Sequence, residues 1–185
     1  MVAIRARGVG QADHVHEVTA TATRAAARIS DDYDRADRPL GGYLAIMAGY
    51  GALMTGAAAL LARDKRLPDG VRLADGALLA VATHKLSRTL AKDAVASPLR
   101  APFMKFKGPA GPGEVNEDVR GEGVQKAAGE LISCPFCLDQ WVASAFVVGL
   151  AVAPRFTRFV ASTFAVRAGA DFLHFAYVAA EHAAE

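Results

Sequence analysis

The sequence lacks several features that mark common protein classes. Only two of its 185 residues are cysteines, and they lie three positions apart, so the chain is not a small secreted domain held together by disulfides. The formal net charge is only +2 and no basic stretch is interleaved with aromatic residues, so we expect no nucleic-acid partner. Residues 1–38 contain no apolar signal core, and a cleavable signal peptide is not expected.

Catalytic signatures are also missing. The sequence has no phosphate-binding Walker loop, no dinucleotide-binding glycine pattern, no Gly-x-Ser-x-Gly elbow and no His-Glu-x-x-His pair. These absences argue against the common nucleotide-binding, hydrolase and zinc-protease classes. Apolar residues, in contrast, make up 52% of the chain and are gathered into long runs between charged segments.

The clearest apolar run covers residues 40–62 and contains no charged side chain. A hydrocarbon core about 30 Å thick requires roughly 20 helical residues, so this run is long enough to cross a bilayer. Ala48, Ala52 and Gly56 are spaced by four residues, which is typical of membrane helices that pack closely. The alternative is a buried helix of a soluble protein.

Three further segments are predicted to be membrane helices. Residues 71–92 contain Asp75 and end in a cationic stretch, so they could cross the membrane fully or only half-way. Residues 135–153 begin with Pro135, which suits a first helical turn. Residues 156–180 are long enough, and their ionisable residues share one face that we expect to point into the bundle. These residues are Arg167, Asp171 and His174.

Together the segments predict an all-α fold: a polytopic helical bundle of about four membrane segments with a polar N-terminal helix. Residues 1–38 are the polar N-terminal segment, residues 39–185 the membrane domain, and residues 93–134 a polar connection within it. Lysine and arginine are more frequent in the N-terminal segment and this connection than in the opposite loops. The positive-inside rule therefore predicts a multi-pass protein of the cell membrane with both termini in the cytoplasm.

The sharpest chemical feature is the pair Cys134 and Cys137, at the predicted start of the third membrane helix. Cysteines at this spacing can face one side of a helix, which suits thiol–disulfide exchange or half of a zinc site. The third alternative is a structural packing motif with no cofactor. A zinc site would need further ligands from His84, Glu130, Asp139 and His174, or from a second copy of the chain.

Cationic residues end the second membrane segment. Lys85 and Arg88 could bind an anionic headgroup or an acidic substrate. Alternatively, both side chains reach the membrane surface and pair with a carboxylate there.

The fourth segment offers a polar relay. Asp171 could orient His174 for proton transfer, or it could pair with Arg167 as a structural ion pair. We expect the polar groups of these segments to converge near the cytoplasmic face with the start of the third helix. The candidate catalytic residues are His84, Arg88, Glu130, Asp171 and His174.

Several short motifs carry a family resemblance over roughly residues 72–180. The most specific is the stretch GELISCPFCLDQWVA at residues 129–143; the others are THKLSR at 83–88, SPLRAPF at 97–103, GPGEV at 111–115 and RGEG at 120–123. On these motifs the chain resembles domain of unknown function family 1360, an uncharacterised family of small bacterial integral membrane proteins. The resemblance implies a membrane protein, no established activity and no catalytic residue. Some relatives have sporulation-related names.

Three functions remain open from the sequence. The first is a non-enzymatic protein that assembles with a membrane partner, a protein or another copy of itself. The second is a membrane enzyme that acts on an apolar or lipid-like small molecule through the polar cluster. The third is a thiol-redox or metal-binding module centred on the cysteines. Membrane lipid is the surrounding partner in each case, and the cofactor is zinc or none.

Overall fold

The computed structural model describes residues 37–184 together with residues 20–21, 23–24, 27–29, 31 and 33. The predicted polar N-terminal helix lies mostly outside the described residues; those described between 20 and 33 are helical and exposed. A 3-10 turn covers Ala94–Ala96. The elements are α1 (Leu40–Arg63), α2 (Leu73–Lys92), α3 (Ser97–Arg100), β1 (Met104–Gly111), β2 (Glu114–Val119), α4 (Gly123–Ser133), α5 (Pro135–Val152) and α6 (Pro154–Ala184).

Two helices in the described part of the chain, α1 and α5, are long and apolar enough to cross a membrane. Only 6% of the most apolar window of α1 and 11% of that of α5 is buried by the rest of the chain. Leu44, Leu53 and Leu60 of α1 are each more than half exposed. These helices therefore do not form the interior of a water-soluble core, and their apolar surfaces need hydrocarbon or a partner to cover them.

The prediction of four membrane segments is not supported by the same criterion. α2 and α6 are long enough, but their charged side chains lower the hydropathy of both below that of an ordinary span. The boundaries also differ from the predicted ones. α2 begins at Leu73, and α6 continues past residue 180 to Ala184.

The core of the bundle lies between α2, α5 and α6. Ala82 and Ala161 have no exposed surface, and such small side chains let the helices approach closely. At the junction of α5 and α6, a Cβ at Gly149 would lie 2.7 Å from Oγ1 of Thr157, so this contact requires glycine. The buried apolar cluster consists of Leu79, Ala82, Val142, Phe146 and Ala161.

The side-chain contacts of α1 pass from α4 to α5 along its length. Near its start, Tyr43 contacts Glu130 of α4, and two helical turns later Tyr50 contacts Ser144 of α5. The order of these contacts along α1 matches the order of α4 and α5 in the chain.

α2 and α6 run parallel to each other and antiparallel to α5. α6 follows α5 after the single residue Ala153 and turns back along it. The pairs Asp75–Arg158 and Lys85–Asp171 show that α2 has the same direction as α6. α2, α5 and α6 therefore alternate in direction along the chain.

The all-α prediction is wrong in one respect, because the polar connection contains an antiparallel β-hairpin. Met104 of β1 lies opposite Val119 of β2, and Gly111 lies opposite Glu114. The glycine- and proline-rich stretch 108–113 forms the end of β1 and the turn. Gly113 in the turn has a φ of 76°, which glycine adopts without a Cβ clash.

Arg100 attaches the hairpin to the end of α2. Its side chain is 1% exposed, and it donates hydrogen bonds to the Glu117 carboxylate at 2.5 Å and to the Leu90 carbonyl at 2.7 Å. The amide of Ala94 donates to the carbonyl of Gly113 at 2.8 Å. The hairpin turn is therefore held beside the last turn of α2.

Candidate functional site

The candidate residues occupy two separate cavities. The first, called here the cap cavity, lies between α2, α6 and the hairpin turn and has a volume of about 1160 Å³. The second, the thiol cavity, lies between α1, α4 and α5 and has a volume of about 520 Å³. The candidates in the cap cavity are His84, Lys85, Arg88, Asp171 and His174, and those in the thiol cavity are Glu130, Cys134 and Cys137.

Cations of α2 line one wall of the cap cavity, and each has a carboxylate partner. The ammonium of Lys85, only 8% exposed, contacts the carboxylate of Asp171. Nη2 of Arg88 lies 2.6 Å from Oε1 of Glu114, the first residue of β2. The hairpin thus supplies one of the counterions of this wall.

α6 contributes a third cation to the same wall. Nη1 of Arg167 donates to Oγ1 of Thr89 at 2.9 Å, and Nη2 donates to Oδ2 of Asp93 at 2.8 Å. Arg167 therefore ties α6 to the end of α2. Arg167 does not pair with Asp171, the partner that the sequence suggested for it.

Two histidines complete the polar wall. Within residues 37–184, neither the imidazole of His84 nor that of His174 has a hydrogen-bond or ion-pair partner, and both residues are exposed. Asp171 contacts Lys85 and forms no hydrogen bond with His174, so the relay from Asp171 to His174 stays a prediction.

Apolar side chains also line the cap cavity. Phe172 and Phe175 of α6 are 70% and 73% exposed, and Val95 of the 3-10 turn is 81% exposed. Val178 lies further along α6 in the same lining. The lining therefore combines cations and imidazoles with apolar side chains.

In the thiol cavity, both cysteines are free, Cys134 half-buried and Cys137 exposed. Cys134 precedes Pro135, which is the first residue of α5 as predicted. The amide of Cys137 donates to the carbonyl of Cys134 at 3.1 Å, so the first helical turn brings the two residues onto one side.

Glu130 is held by the start of α1. The hydroxyl of Tyr43 donates to its carboxylate, and Nη1 of Arg38 lies 3.6 Å from Oε1. The hydrogen bond with Tyr43, and then the charge of Glu130, raises the pKa of Arg38 above its ordinary value. Glu130 therefore belongs with the thiols and does not join the residues of the cap cavity.

Aromatic side chains form the far wall of the thiol cavity. The hydroxyl of Tyr50 lies 2.7 Å from Oγ of Ser144 and accepts a hydrogen bond from the amide of Gln140 at 2.5 Å. Its ring meets that of Trp141 edge to face, with centroids 5.1 Å apart. Sequence reasoning missed Tyr43 and Tyr50, although their spacing of two helical turns puts both on one face of α1.

A complete metal site is not formed by the part of the chain that the structure describes: no three His, Cys, Asp or Glu side chains cluster there in a way that could hold an ion. His84 and His174, two of the further zinc ligands considered from the sequence, line the cap cavity. Zinc at the cysteines stays a prediction that would need ligands from another chain.

Comparison with known proteins identifies the family. A family model described as "Protein of unknown function (DUF1360)" matches residues 78–177, more than half of the chain. The chain belongs to this family. It is also 35% identical over 81 residues to "Sporulation protein YjcA" of Bacillus subtilis (strain 168), an alignment that covers 42% of this chain and 69% of that protein. No solved structure matches. The matched region reaches from α2 into α6, so it includes the cysteines and most of the cap cavity.

Proposed function

We propose that this chain is a multi-pass membrane protein whose four long helices all cross the bilayer, and that its cap cavity binds an anionic amphiphile of the membrane. The observation that carries the binding proposal is the combined cationic and apolar lining of the cap cavity. Its position at one end of the bundle supports a site at the membrane surface.

The directions of the helices support four crossings. α1 and α5 are apolar enough to span, and the contacts of α1 pass from α4 to α5 in chain order, as expected for a helix parallel to α5. A chain that crosses twice in one direction must return in between, and α2 is the one long helix between them in residues 37–184. α6 then turns back after Ala153 and has the same direction as α2.

The charges of α2 and α6 are compatible with a membrane interior because they satisfy one another. Asp75 and Arg158 form a bidentate pair with N–O distances of 2.7 and 2.8 Å. Lys85 contacts Asp171 further along the same interface. Ionisable groups within spans are tolerated when they face the bundle and are paired, although each lowers the hydropathy of its helix.

The length of α6 supports a cap at the cytoplasmic surface. Its 31 residues extend about 46 Å at 1.5 Å per residue, against a hydrocarbon core of about 30 Å. The last turns therefore project beyond the bilayer on the side of the hairpin. Lysine and arginine are more frequent on this side, which favours the cytoplasm.

The polar wall retains donors for an anionic group. Arg88 and Arg167 have side chains that are 47% and 45% exposed, and each has one carboxylate partner among the described residues. A guanidinium has five N–H donors, so both can also bind a phosphate or carboxylate oxygen. Phe172 and Phe175 of the same lining would cover the attached hydrocarbon. Because Asp171 is occupied by Lys85, the geometry favours binding over proton transfer.

Lipid retention tests this proposal. The protein is purified in mild detergent with phosphatidylglycerol, and bound lipid is measured by native mass spectrometry for the wild type, Arg88→Gln/Arg167→Gln and the control Lys107→Gln. Lys107 is an exposed cation of the same hairpin and lies outside the cavity lining. We expect the double variant to bind about tenfold more weakly, as the loss of about 1.5 kcal/mol of charge-assisted bonding implies. Equal retention by the double variant and the wild type would contradict the proposal.

A further inference from the structure

The thiol cavity has no role in the proposed binding function, yet it has the dimensions of a small-molecule site. Its volume of about 520 Å³ falls within the range of roughly 300–1,000 Å³ seen for such sites. Ile46 and Met47 of α1 and Leu131 of α4 make its lining mainly apolar. Two of its walls come from α1 and α5, the helices best suited to lie in hydrocarbon, so a membrane-soluble molecule can reach it.

The two thiols are arranged to react as a pair. Cys134 and Cys137 are free, line the same cavity and are joined through one helical turn by a backbone hydrogen bond of 3.1 Å. Cysteines at this spacing can close a disulfide when a partner accepts two electrons. Their position in a ligand-sized cavity distinguishes them from a pair that serves packing alone.

The lining indicates the class of electron acceptor. A charged low-molecular-weight disulfide would lose its hydration in this apolar space, which is unfavourable. A planar, uncharged ring can instead pack against the aromatic wall of Tyr50 and Trp141. The amide of Gln140 and the guanidinium of Arg38 border the same space and can donate to carbonyl oxygens. A quinone combines these properties: a flat ring, two carbonyl oxygens and solubility in the membrane.

We propose that the thiol cavity binds a quinone and that Cys134 and Cys137 reduce it. In this reaction two S–H bonds break and one S–S bond forms. The two electrons and two protons pass to the quinone, whose carbonyl oxygens become the hydroxyls of the hydroquinone. The dithiol is oxidised, the quinone is reduced, and a cellular thiol can restore the dithiol by exchange.

The test uses the full chain in lipid nanodiscs, reduced and free of oxygen, with a ubiquinone analogue whose ring is fully substituted so that thiols cannot add to it. We expect hydroquinone and the Cys134–Cys137 disulfide to form in equal amounts, measured by absorbance and by the mass of the alkylated protein. Cys137→Ser should form neither. The proposal is overturned if the wild type leaves the quinone unreduced while diamide, a water-soluble oxidant, closes the disulfide.

A pair of variants on one helix tests the cavity itself. Met47→Trp fills the cavity, whereas Met54→Trp adds the same side chain two turns later, outside the lining. We expect Met47→Trp to slow oxidation by quinone about tenfold, Met54→Trp to react like the wild type, and diamide to oxidise all three equally. Equal quinone rates in both variants would also overturn the proposal. Ile46→Phe, which fills the same cavity, replaces Met47→Trp if that variant does not fold.

Discussion

α1 and α2 are consecutive helices of similar length that differ in how much of their surface the rest of the chain buries. α1 has 24 residues, carries no charge before Arg63 and buries only Gly42 and Leu61. α2 has 20 residues and buries eight, among them Asp75 and Lys85. Hydropathy marks α1 as a candidate membrane span and does not mark α2. In the proposed topology α2 also crosses, because neighbouring side chains pair with its polar groups, and hydropathy does not count such pairs.

The contacts of α2 show which neighbouring side chains pair with its polar groups. Asp75 receives two hydrogen bonds from Arg158 of α6, and Ser87 donates to Asp139 of α5. α1 has few such contacts and packs mainly against α4. Substitutions in α2 and its partners should therefore lower the stability of the fold. Substitutions on the exposed face of α1 should change it very little.

The largest effect is expected from breaking the pair of Lys85 and Asp171. Asp171→Leu leaves the ammonium of Lys85, which is 8% exposed, without its partner and should cost about 3 kcal/mol. Because an apolar pair removes the isolated charge, Asp171→Leu/Lys85→Met should recover most of that loss. Thermal unfolding in detergent measures both variants.

Leu53→Ala is the matched substitution on the exposed face of α1. It removes little packing within the chain and should change stability by less than about 1 kcal/mol. If Asp171→Leu proved as stable as Leu53→Ala, the contrast between the two helices would be lost.

A smaller effect is expected from two glycine substitutions. The Cβ of Gly149→Ala would lie 2.7 Å from Oγ1 of Thr157, so this change should destabilise the α5–α6 junction by about 1–3 kcal/mol. Gly49→Ala in α1 meets nothing within 4 Å and should be neutral or stabilising by up to about 1 kcal/mol, because alanine favours helix. Melting temperatures of the two variants compare them directly, and a destabilising Gly49→Ala would show that α1 is packed more tightly than described.

The sequence predicted the features that depend on neighbouring positions. The uncharged run after residue 39 indicated α1, and Pro135 indicated the start of α5. The hairpin was missed because β1 contains two glycines and a proline, residues that are rare inside strands. Its pairing depends on contacts with β2 and on the buried Arg100, which spacing along one strand does not report.

The candidate site shows the same difference between features set by neighbouring positions and features set by distant ones. Spacing along α6 predicted that Arg167, Asp171 and His174 share a face, but it favoured partners one turn away. The partner of Asp171 is Lys85, 86 positions earlier, and it could be found only once α2 lay beside α6. The single predicted cluster became two cavities because Glu130 lies on α4, where Tyr43 of α1 contacts it, whereas the cationic and histidine candidates lie on α2 and α6.

The return of the chain through α2 is the central claim, and labelling of single cysteines tests it most directly. In a chain with Cys134→Ser and Cys137→Ser, Asp69→Cys marks the loop between α1 and α2, and Lys107→Cys marks the hairpin; both positions are exposed. A membrane-impermeant maleimide applied to intact cells should label Asp69→Cys, and it should label Lys107→Cys only after the membrane is opened. Labelling of both positions under the same condition would mean that α2 does not cross, and it would contradict the account.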